Sequence, residues 1–187
     1  MSTYANDAQL SETILDKKVV YPGLIIRLEH WDVTLPDGTQ CVREVACHIG
    51  ASAVVALDED NNLILVRQQR IAIGRITVEI PAGKLDAPDE DPLVCAKREL
   101  SEETGMTADH WEKLTVLDTT PGFCNEHIHI YLARGLHAGS RHPDEDEFVD
   151  VIRMPLPEAY ARVMSGDLHD GKTCLGILMA YAQQKNA

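Results

Sequence analysis

The chain has few basic residues for its length, and this shortage limits what it can bind. Its 187 residues include 17 Lys and Arg against 30 Asp and Glu, a formal net charge of −13 at pH 7. Proteins that hold nucleic acid or anionic membrane surfaces need a basic face. The sequence therefore predicts neither partner, and an anionic substrate would need local neutralisation by metal ions and a few arginines.

Other absences point to the compartment. No apolar stretch approaches the roughly 20 residues of a membrane span, and the first residues lack the basic-then-apolar pattern of a signal peptide. There are no internal repeats and no low-complexity tracts. The five cysteines are odd in number and form no Cys-x-x-Cys pair, which favours reduced thiols over a disulfide framework. We therefore expect a cytoplasmic protein.

Apolar segments and turn residues predict strands with one helix among them and two helices at the end. Residues 1–10 are predicted to be a flexible tail, 11–48 a small antiparallel β-sheet subdomain, and 49–187 the main domain. In the subdomain, segments 24–35 and 40–48 flank the turn Pro36-Asp37-Gly38-Thr39 and predict a hairpin. Further strands are predicted at 51–57, 63–68, 77–80, 113–118, 127–133 and 148–154, and helices at 157–165 and 172–183. This order suggests an α/β/α sandwich with a mixed sheet.

An acidic helix in the middle of the chain is the most informative segment. Asp91 fits the N-cap position and Pro92 the first helical position. Gly105 fits the position just past the C-terminus, where a left-handed residue is favoured. The segment before that glycine, residues 98–104, reads Arg-Glu-Leu-Ser-Glu-Glu-Thr.

Three glutamates of this helix, Glu99, Glu102 and Glu103, share one face at about 100° per residue. Like charges at these spacings destabilise a helix by roughly 0.2–0.5 kcal/mol per pair, whereas a hard divalent cation reverses that effect. The alternative is a solvated acidic face. Arg98 and the spacing to Glu90 favour the metal site.

These residues resemble the Nudix hydrolases. That family's box is a glycine, five residues, a glutamate, seven residues, then Arg-Glu-apolar-x-Glu-Glu-x-Gly-apolar. Six residues rather than five separate Gly83 from the glutamate. From there every fixed position matches: Glu90, Arg98, Glu99, Leu100, Glu102, Glu103, Gly105 and Met106. The resemblance implies a Nudix-like α/β/α sandwich and metal-assisted cleavage of a pyrophosphate.

The flanking sequence resembles the ADP-ribose pyrophosphatase branch from about residue 12 to 180. The matching stretches are 42–45, 67–70, 79–83, 120–123 and 142–147, together with Pro121 after the box. This resemblance implies Mg²⁺-dependent hydrolysis, with Mn²⁺ possible, of ADP-ribose to AMP and ribose 5-phosphate by metal-activated water. It also implies a homodimer with swapped N-terminal sheets. The alternatives are a pyrophosphatase of other nucleoside diphosphate sugars, such as GDP-mannose, and a non-catalytic domain that binds ADP-ribose.

The resemblance also implies roles for individual residues near the metal. The ligands are oxygen atoms of Glu99, Glu103, Glu102 and the carbonyl of Ala82. Arg98 orients the glutamates, and Glu90 does so from the loop, so that Arg98 and Glu102 count among the catalytic residues. The general base is Glu147 or Glu145, on the loop after the strand predicted at 127–133, with Glu147 preferred.

A further group of residues is implied to bind the substrate. Arg70 clamps the diphosphate by paired hydrogen bonds; its alternative is a surface arginine at a strand end. Gly122 and Glu126 contact the terminal ribose. Ile25, Arg43 and Glu44, in the N-terminal sheet, serve the adenine site of the partner subunit, and the alternative for each is an ordinary sheet residue.

Overall fold

The computed structural model describes residues 7–141 and 148–186. The chain divides into two compact units, Met1–His48 with Asp118–Glu126 and Ile49–Leu117 with His127–Ala187. The predicted tail falls mostly outside the described residues, although Asp7–Gln9 forms a short 3-10 helix. Among the described residues, no helix is both long and apolar enough to cross a membrane.

The first unit contains a three-stranded antiparallel sheet. Its strands are β1 (Thr13–Pro22), β2 (Arg27–Thr34) and β3 (Gln40–Cys47), in that order. The predicted β2–β3 hairpin is confirmed: the Leu35 N–H donates to the Thr39 carbonyl at 2.8 Å, and the Asp37 carboxylate accepts from the Thr39 N–H at 2.9 Å. Strand β1 was not predicted, because its apolar and charged residues follow no clear alternation.

Among the described residues, the second unit is built on a seven-stranded sheet, which is mixed as predicted. The order is β10-β5-β4-β9-β8, with β6 paired to β5 and β7 paired to β4. Strands β4 and β9 run parallel, whereas β4 and β5 form an antiparallel hairpin. The strands are β4 (Ala51–Leu57), β5 (Asn62–Arg70), β6 (Arg75–Glu79), β7 (Ala82–Lys84), β8 (Met106–Asp118), β9 (His127–Ala138) and β10 (Asp150–Pro155).

Helices cover both faces of this sheet, which confirms the α/β/α sandwich. Helix α1 (Pro92–Thr104) lies on one face, and α2 (Leu156–Met164) and α3 (Gly171–Asn186) lie on the other. Successive side chains of a strand point to opposite faces. In β4, Val54 accordingly packs in one apolar cluster with Leu100 of α1, and Val55 packs in the other with Ile177 of α3.

Some strand boundaries differ from the sequence-based prediction. Strand β8 begins at Met106 rather than at residue 113, because the left-handed Gly105 leads the chain directly from α1 into the strand. Strand β7 was expected to be a loop; its Ala82 and Gly83 instead pair with β4. The carbonyl of Pro81 accepts the Val54 N–H at 2.8 Å, so the backbone leading into β7 is tied to the centre of the sheet.

Candidate functional site

Helix α1 has the caps that the sequence predicts. The Asp91 carboxylate accepts a hydrogen bond from the Leu93 N–H at 2.8 Å, and Pro92 occupies the first helical position. Gly105 has a φ of 72°, and its N–H donates to the carbonyl of Ser101 at 2.8 Å. These caps fix the helix register and hence the direction in which each glutamate projects.

Arg98 forms hydrogen bonds to two of those glutamates. Its Nη1 lies 2.7 Å from Oε1 of Glu99 and 3.1 Å from Oε2 of Glu102, and its Nη2 donates to the carbonyl of Lys84 at 3.2 Å. Burial is the largest effect and lowers the pKa of Arg98, but the combined effects of Glu99, Cys95 and Glu102 outweigh it and the net shift is upward. Arg98 therefore stays charged and links α1 to β7.

The loop before α1 brings Glu90 to the same arginine. Oε2 of Glu90 accepts the Asp86 N–H at 2.6 Å and lies 3.6 Å from Nη2 of Arg98. The Glu90 N–H donates to the carbonyl of Ala87 at 3.1 Å, which closes a turn. The six-residue spacing after Gly83 therefore still leaves Glu90 within ion-pair distance of Arg98.

Glu99 and Glu103 are buried against the backbone of β7. Their exposed fractions are 7% and 2%. Oε2 of Glu103 accepts a hydrogen bond from the Ala82 N–H at 3.1 Å. A Cβ atom at Gly83 would overlap the carboxylate of Glu99, so glycine leaves the space in which this carboxylate lies against the strand. Two acidic side chains thus sit in a space bounded by main-chain atoms.

This donor set fits a hard divalent cation. Carboxylate and carbonyl oxygens are the protein ligands that Mg²⁺ prefers, and the predicted ligands Glu99, Glu103, Glu102 and the Ala82 carbonyl are donors of this kind. Within the described residues, no three acidic, His or Cys side chains converge as they stand on a point that could hold an ion. Arg98 lies between Glu99 and Glu102, and Glu103 is hydrogen-bonded to main chain.

Arg70, at the end of β5, is held by a buried carboxylate. Its Nε and Nη2 lie 2.8 and 2.7 Å from the two oxygens of Glu79, which is only 2% exposed. Burial raises the pKa of Glu79, but hydrogen bonds from Arg70 and the charge of Lys172 overcome that effect and lower it to about 2. The arginine side chain itself remains 42% exposed.

Lys172 is the residue of this region that sequence reasoning missed. Its Nζ bonds to Oε2 of Glu79 and lies 3.1 Å from Oδ2 of Asp170. The lysine is 9% exposed, and 93 positions separate it from Glu79. No local spacing marks such a pair, because the contact arises only when α3 packs beside β6.

The predicted adenine-site residues lie in the first unit. Arg43 pairs with Glu12, at 3.0 Å from Nε to Oε2. Oε1 of Glu44 lies 3.7 Å from Nε2 of His30. Ile25 is 63% exposed in the segment between β1 and β2. Their roles stay predictions.

The remaining predicted site residues are the two ribose contacts and the two candidates for the general base. Oε1 of Glu126 lies 3.4 Å from Nδ1 of His48, also in the first unit. Gly122 has open space where a Cβ would be. Glu145 and Glu147 lie outside the described residues, so their role as general base also stays a prediction.

Known protein families and relatives resemble this chain over the region that contains these residues. The family profile for the NUDIX domain matches residues 48–172, more than half of the chain, including Arg70, α1 and Lys172. The chain belongs to the Nudix family. This Nudix protein is 42% identical over 180 residues to the ADP-ribose pyrophosphatase of Bacillus subtilis (strain 168), covering 95% of this chain and 96% of the relative. Such similarity makes it a hydrolase.

Other relatives differ in their names. The methanol dehydrogenase activator of Bacillus methanolicus is 39% identical, covering 92% of this chain and 94% of that protein. The GDP-mannose pyrophosphatase of Cronobacter sakazakii is 34% identical, over 88% and 91% respectively. A solved structure of an ADP compounds hydrolase superposes with a TM-score of 0.81, covering 95% and 96%; at 24% identity this likeness shows the fold alone.

Proposed function

We propose that this Nudix hydrolase cleaves the diphosphate of ADP-ribose, with one water, to AMP and ribose 5-phosphate in a magnesium-dependent reaction. The observation that carries the proposal is the burial of Glu99 and Glu103 against the backbone of Ala82 and Gly83. The near full-length similarity to an ADP-ribose pyrophosphatase at 42% identity supports the choice of substrate.

Four oxygen donors would hold the magnesium, or manganese as an equally hard alternative. They come from Glu99, Glu103, Glu102 and the carbonyl of Ala82. When bound, the metal would neutralise the diphosphate and lower the pKa of the attacking water. Nη1 of Arg98 bonds to both Glu99 and Glu102 and keeps the two carboxylates side by side. Removing the Arg98 side chain would therefore disorder both.

Side chains of the protein bind the diphosphate and accept the proton of the attacking water. Arg70 binds the diphosphate through the N–H groups that Glu79 leaves unused, in the bidentate manner of arginine with phosphate. Glu147, with Glu145 as the alternative, accepts the proton of the attacking water. Attack falls on the phosphorus next to adenosine, so that the new oxygen leaves in AMP.

A homodimer is part of the same proposal. All ten residues of β1 are exposed, and β1 is an edge strand of its sheet. Long, exposed, apolar edge strands promote pairing with another chain. A second copy would cover the five apolar side chains of this strand, which are 46% to 62% exposed: Ile14, Leu15, Val19, Val20 and Tyr21.

In this dimer, Ile25, Arg43 and Glu44 would contact the adenine bound by the other copy, and Gly122 and Glu126 would contact the terminal ribose. All five cysteines are free thiols. Free thiols support a reducing compartment, so we assign the reaction to the cytoplasm.

Two alternatives remain distinct from this proposal. Hydrolysis of GDP-mannose would use the same metal chemistry, and a relative of that name is 34% identical. A non-catalytic ADP-ribose-binding protein would be expected to lack a box glutamate, whereas Glu99, Glu102 and Glu103 are all present. The complete set supports turnover.

The test compares the purified chain on equal concentrations of ADP-ribose and GDP-mannose with Mg²⁺ in water enriched in ¹⁸O. We expect ADP-ribose to be hydrolysed faster than GDP-mannose, giving AMP and ribose 5-phosphate with the ¹⁸O in AMP. Chelation of the metal should stop the reaction. A preference for GDP-mannose would replace the substrate, and binding of ADP-ribose without turnover would replace the enzymatic function.

A further inference from the structure

A buried polar cluster joins α3 to the end of β6, and it centres on Glu79. Both carboxylate oxygens are used: Oε1 accepts from Nε of Arg70 and from Oγ1 of Thr77, and Oε2 accepts from Nη2 of Arg70 and from Nζ of Lys172. Four donors from three side chains leave this carboxylate no freedom to rotate. Its plane fixes the plane of the arginine.

Lys172 reaches the cluster from the first turn of α3. The carboxylate of Asp170 accepts from the Thr173 N–H at 3.1 Å and from Nζ of Lys172 at 3.1 Å, which caps the helix and aligns the lysine. Oγ1 of Thr173 accepts the Ile80 N–H at 2.9 Å. The start of α3 is therefore bonded to the residue after Glu79, so the helix and the strand end move together.

The second cation changes what the arginine can do. A carboxylate as buried as Glu79 needs charged partners to stay ionised. Arg70 is one partner, and Lys172, itself paired with Asp170, is the second. Lys172 supplies a further positive charge and a further hydrogen bond to the same oxygen. Glu79 then stays ionised and oriented, and Arg70, whose side chain is still 42% exposed, keeps N–H groups that Glu79 does not use.

We propose that Lys172 and Glu79 are positioning residues that hold Arg70 in place for the diphosphate of the substrate. The assignment rests on the proposed function, in which Arg70 binds that diphosphate. Lys172 itself touches no phosphate: it is 9% exposed and its ammonium is bonded to Glu79 and Asp170. Its effect on ligand binding must therefore pass through Arg70.

A double-mutant cycle tests this pathway. Wild type, Lys172→Met, Arg70→Ala and the double variant are titrated with inorganic pyrophosphate in the presence of Mg²⁺ by calorimetry, and KM and kcat for ADP-ribose are measured in parallel. We expect Lys172→Met to raise the Kd for pyrophosphate and the KM by about tenfold, with a smaller change in kcat. In the Arg70→Ala background the same substitution should change neither by more than about twofold.

Further variants separate positioning from folding. Lys172→Arg should restore most of the affinity, and Thr77→Val, which removes one neutral donor to Glu79, should weaken binding in the same direction and to a smaller extent. Lys185→Met, at an exposed position of the same helix, is the matched control and should leave Kd and KM unchanged. Thermal melts of each variant show whether it is folded.

The outcomes of the double-mutant cycle support or overturn the positioning role. An equal loss of affinity from Lys172→Met in both backgrounds, or no loss when Thr77→Val and Lys172→Met are both folded, would overturn the positioning role. Failure of the wild type to bind pyrophosphate would overturn it as well. If the cycle shows coupling but ADP-ribose is not hydrolysed, the positioning role stands and the proposed function fails.

Discussion

Gly83 of β7 lies directly against the carboxylate of Glu99 in α1. A Cβ atom built at Gly83 would overlap all three carboxylate atoms, whereas the backbone of Gly83 itself has an ordinary negative φ. The glycine is therefore required for the space it leaves and not for its conformational freedom. The atoms that a methyl group would meet are the far end of a flexible side chain, which can move.

Substitution of Gly83 by alanine should separate catalysis from stability. Because the Glu99 carboxylate can swing away, we expect the free energy of unfolding to change by less than about 1 kcal/mol. Displacing a ligand should weaken Mg²⁺ or Mn²⁺ binding by about tenfold to hundredfold and reduce turnover at least as much. Urea unfolding and the electron paramagnetic resonance signal of free Mn²⁺ measure the two effects.

Gly171→Ala is the control for that substitution. Gly171 is the first residue of α3, has no positive φ, and has open space where its Cβ would be. We expect it to behave as wild type in both measurements. Normal metal binding and turnover in Gly83→Ala would instead show that Glu99 is not a ligand in its present position.

Substitution of Glu103 by glutamine should abolish turnover while the fold is kept. The amide oxygen can still accept the Ala82 N–H, so the 3.1 Å hydrogen bond to β7 is preserved. The substitution removes the negative charge of a proposed metal-binding carboxylate. Because a bound metal ion stabilises the transition state by several kcal/mol, kcat should fall by more than about a hundredfold. Steady-state kinetics with ADP-ribose and Mg²⁺ measure this loss.

The exposed Glu59, in the turn between β4 and β5, provides the matched control. Glu59→Gln makes the same chemical change outside α1 and β7 and should leave kcat unaltered. A Glu103→Gln variant that turns over within a few-fold of wild type would contradict the metal assignment.

Local sequence patterns predicted the parts of the fold that local interactions form. Asp91 and Gly105 cap α1 as expected because a side-chain oxygen and a left-handed glycine act within one helical turn. The β2–β3 hairpin follows for the same reason, since the Asp37 carboxylate bonds to a backbone group two residues on. These features are encoded by neighbours in the chain.

Long-range contacts could not be predicted in this way. Strand β1 exists because it pairs with β2, and none of its ten residues is buried, so no buried face marks it in the sequence. The bond between Lys172 and Glu79 spans 93 positions and depends on how α3 packs. The role of Arg70 as a clamp stays a prediction, and no local pattern indicated that its guanidinium bonds to the buried carboxylate of Glu79.

The cluster around Glu79 should give a pH-dependent contribution to stability. The pKa of this carboxyl is lowered to about 2 in the folded protein, against an ordinary value of about 4.3. Because the folded-state pKa is the lower one, the stabilisation is fully present above about 4.3 and is lost as the pH falls towards 2. It amounts to roughly 3 kcal/mol at neutral pH.

Urea unfolding of wild type and Glu79→Gln at several pH values isolates this contribution from that of the other acids. The difference in unfolding free energy should be largest at pH 6 and should shrink steadily below pH 4.3. A Glu79→Gln difference that stays constant down to pH 2.5 would contradict the lowered pKa.

If the proposed dimer forms through the exposed edge strand β1, a charge on that strand should dissociate it. Val20 is 47% exposed, so lysine at this position should alter the stability of the isolated chain by less than about 0.5 kcal/mol. Buried in an apolar interface between copies, the unpaired ammonium would be strongly unfavourable. We expect Val20→Lys to raise the dimer dissociation constant by at least about a hundredfold, measured by sedimentation velocity over a dilution series.

Val116 of β8 supplies the control, because it is also a strand valine, is 40% exposed, and β8 is an edge strand of the other sheet. Val116→Lys should leave the dissociation constant unchanged if the copies meet through β1. Dissociation by Val116→Lys and not by Val20→Lys would move the interface to β8. A wild-type chain that sediments as a monomer at all concentrations would remove the shared adenine site, because Ile25, Arg43 and Glu44 would then have no second copy to serve.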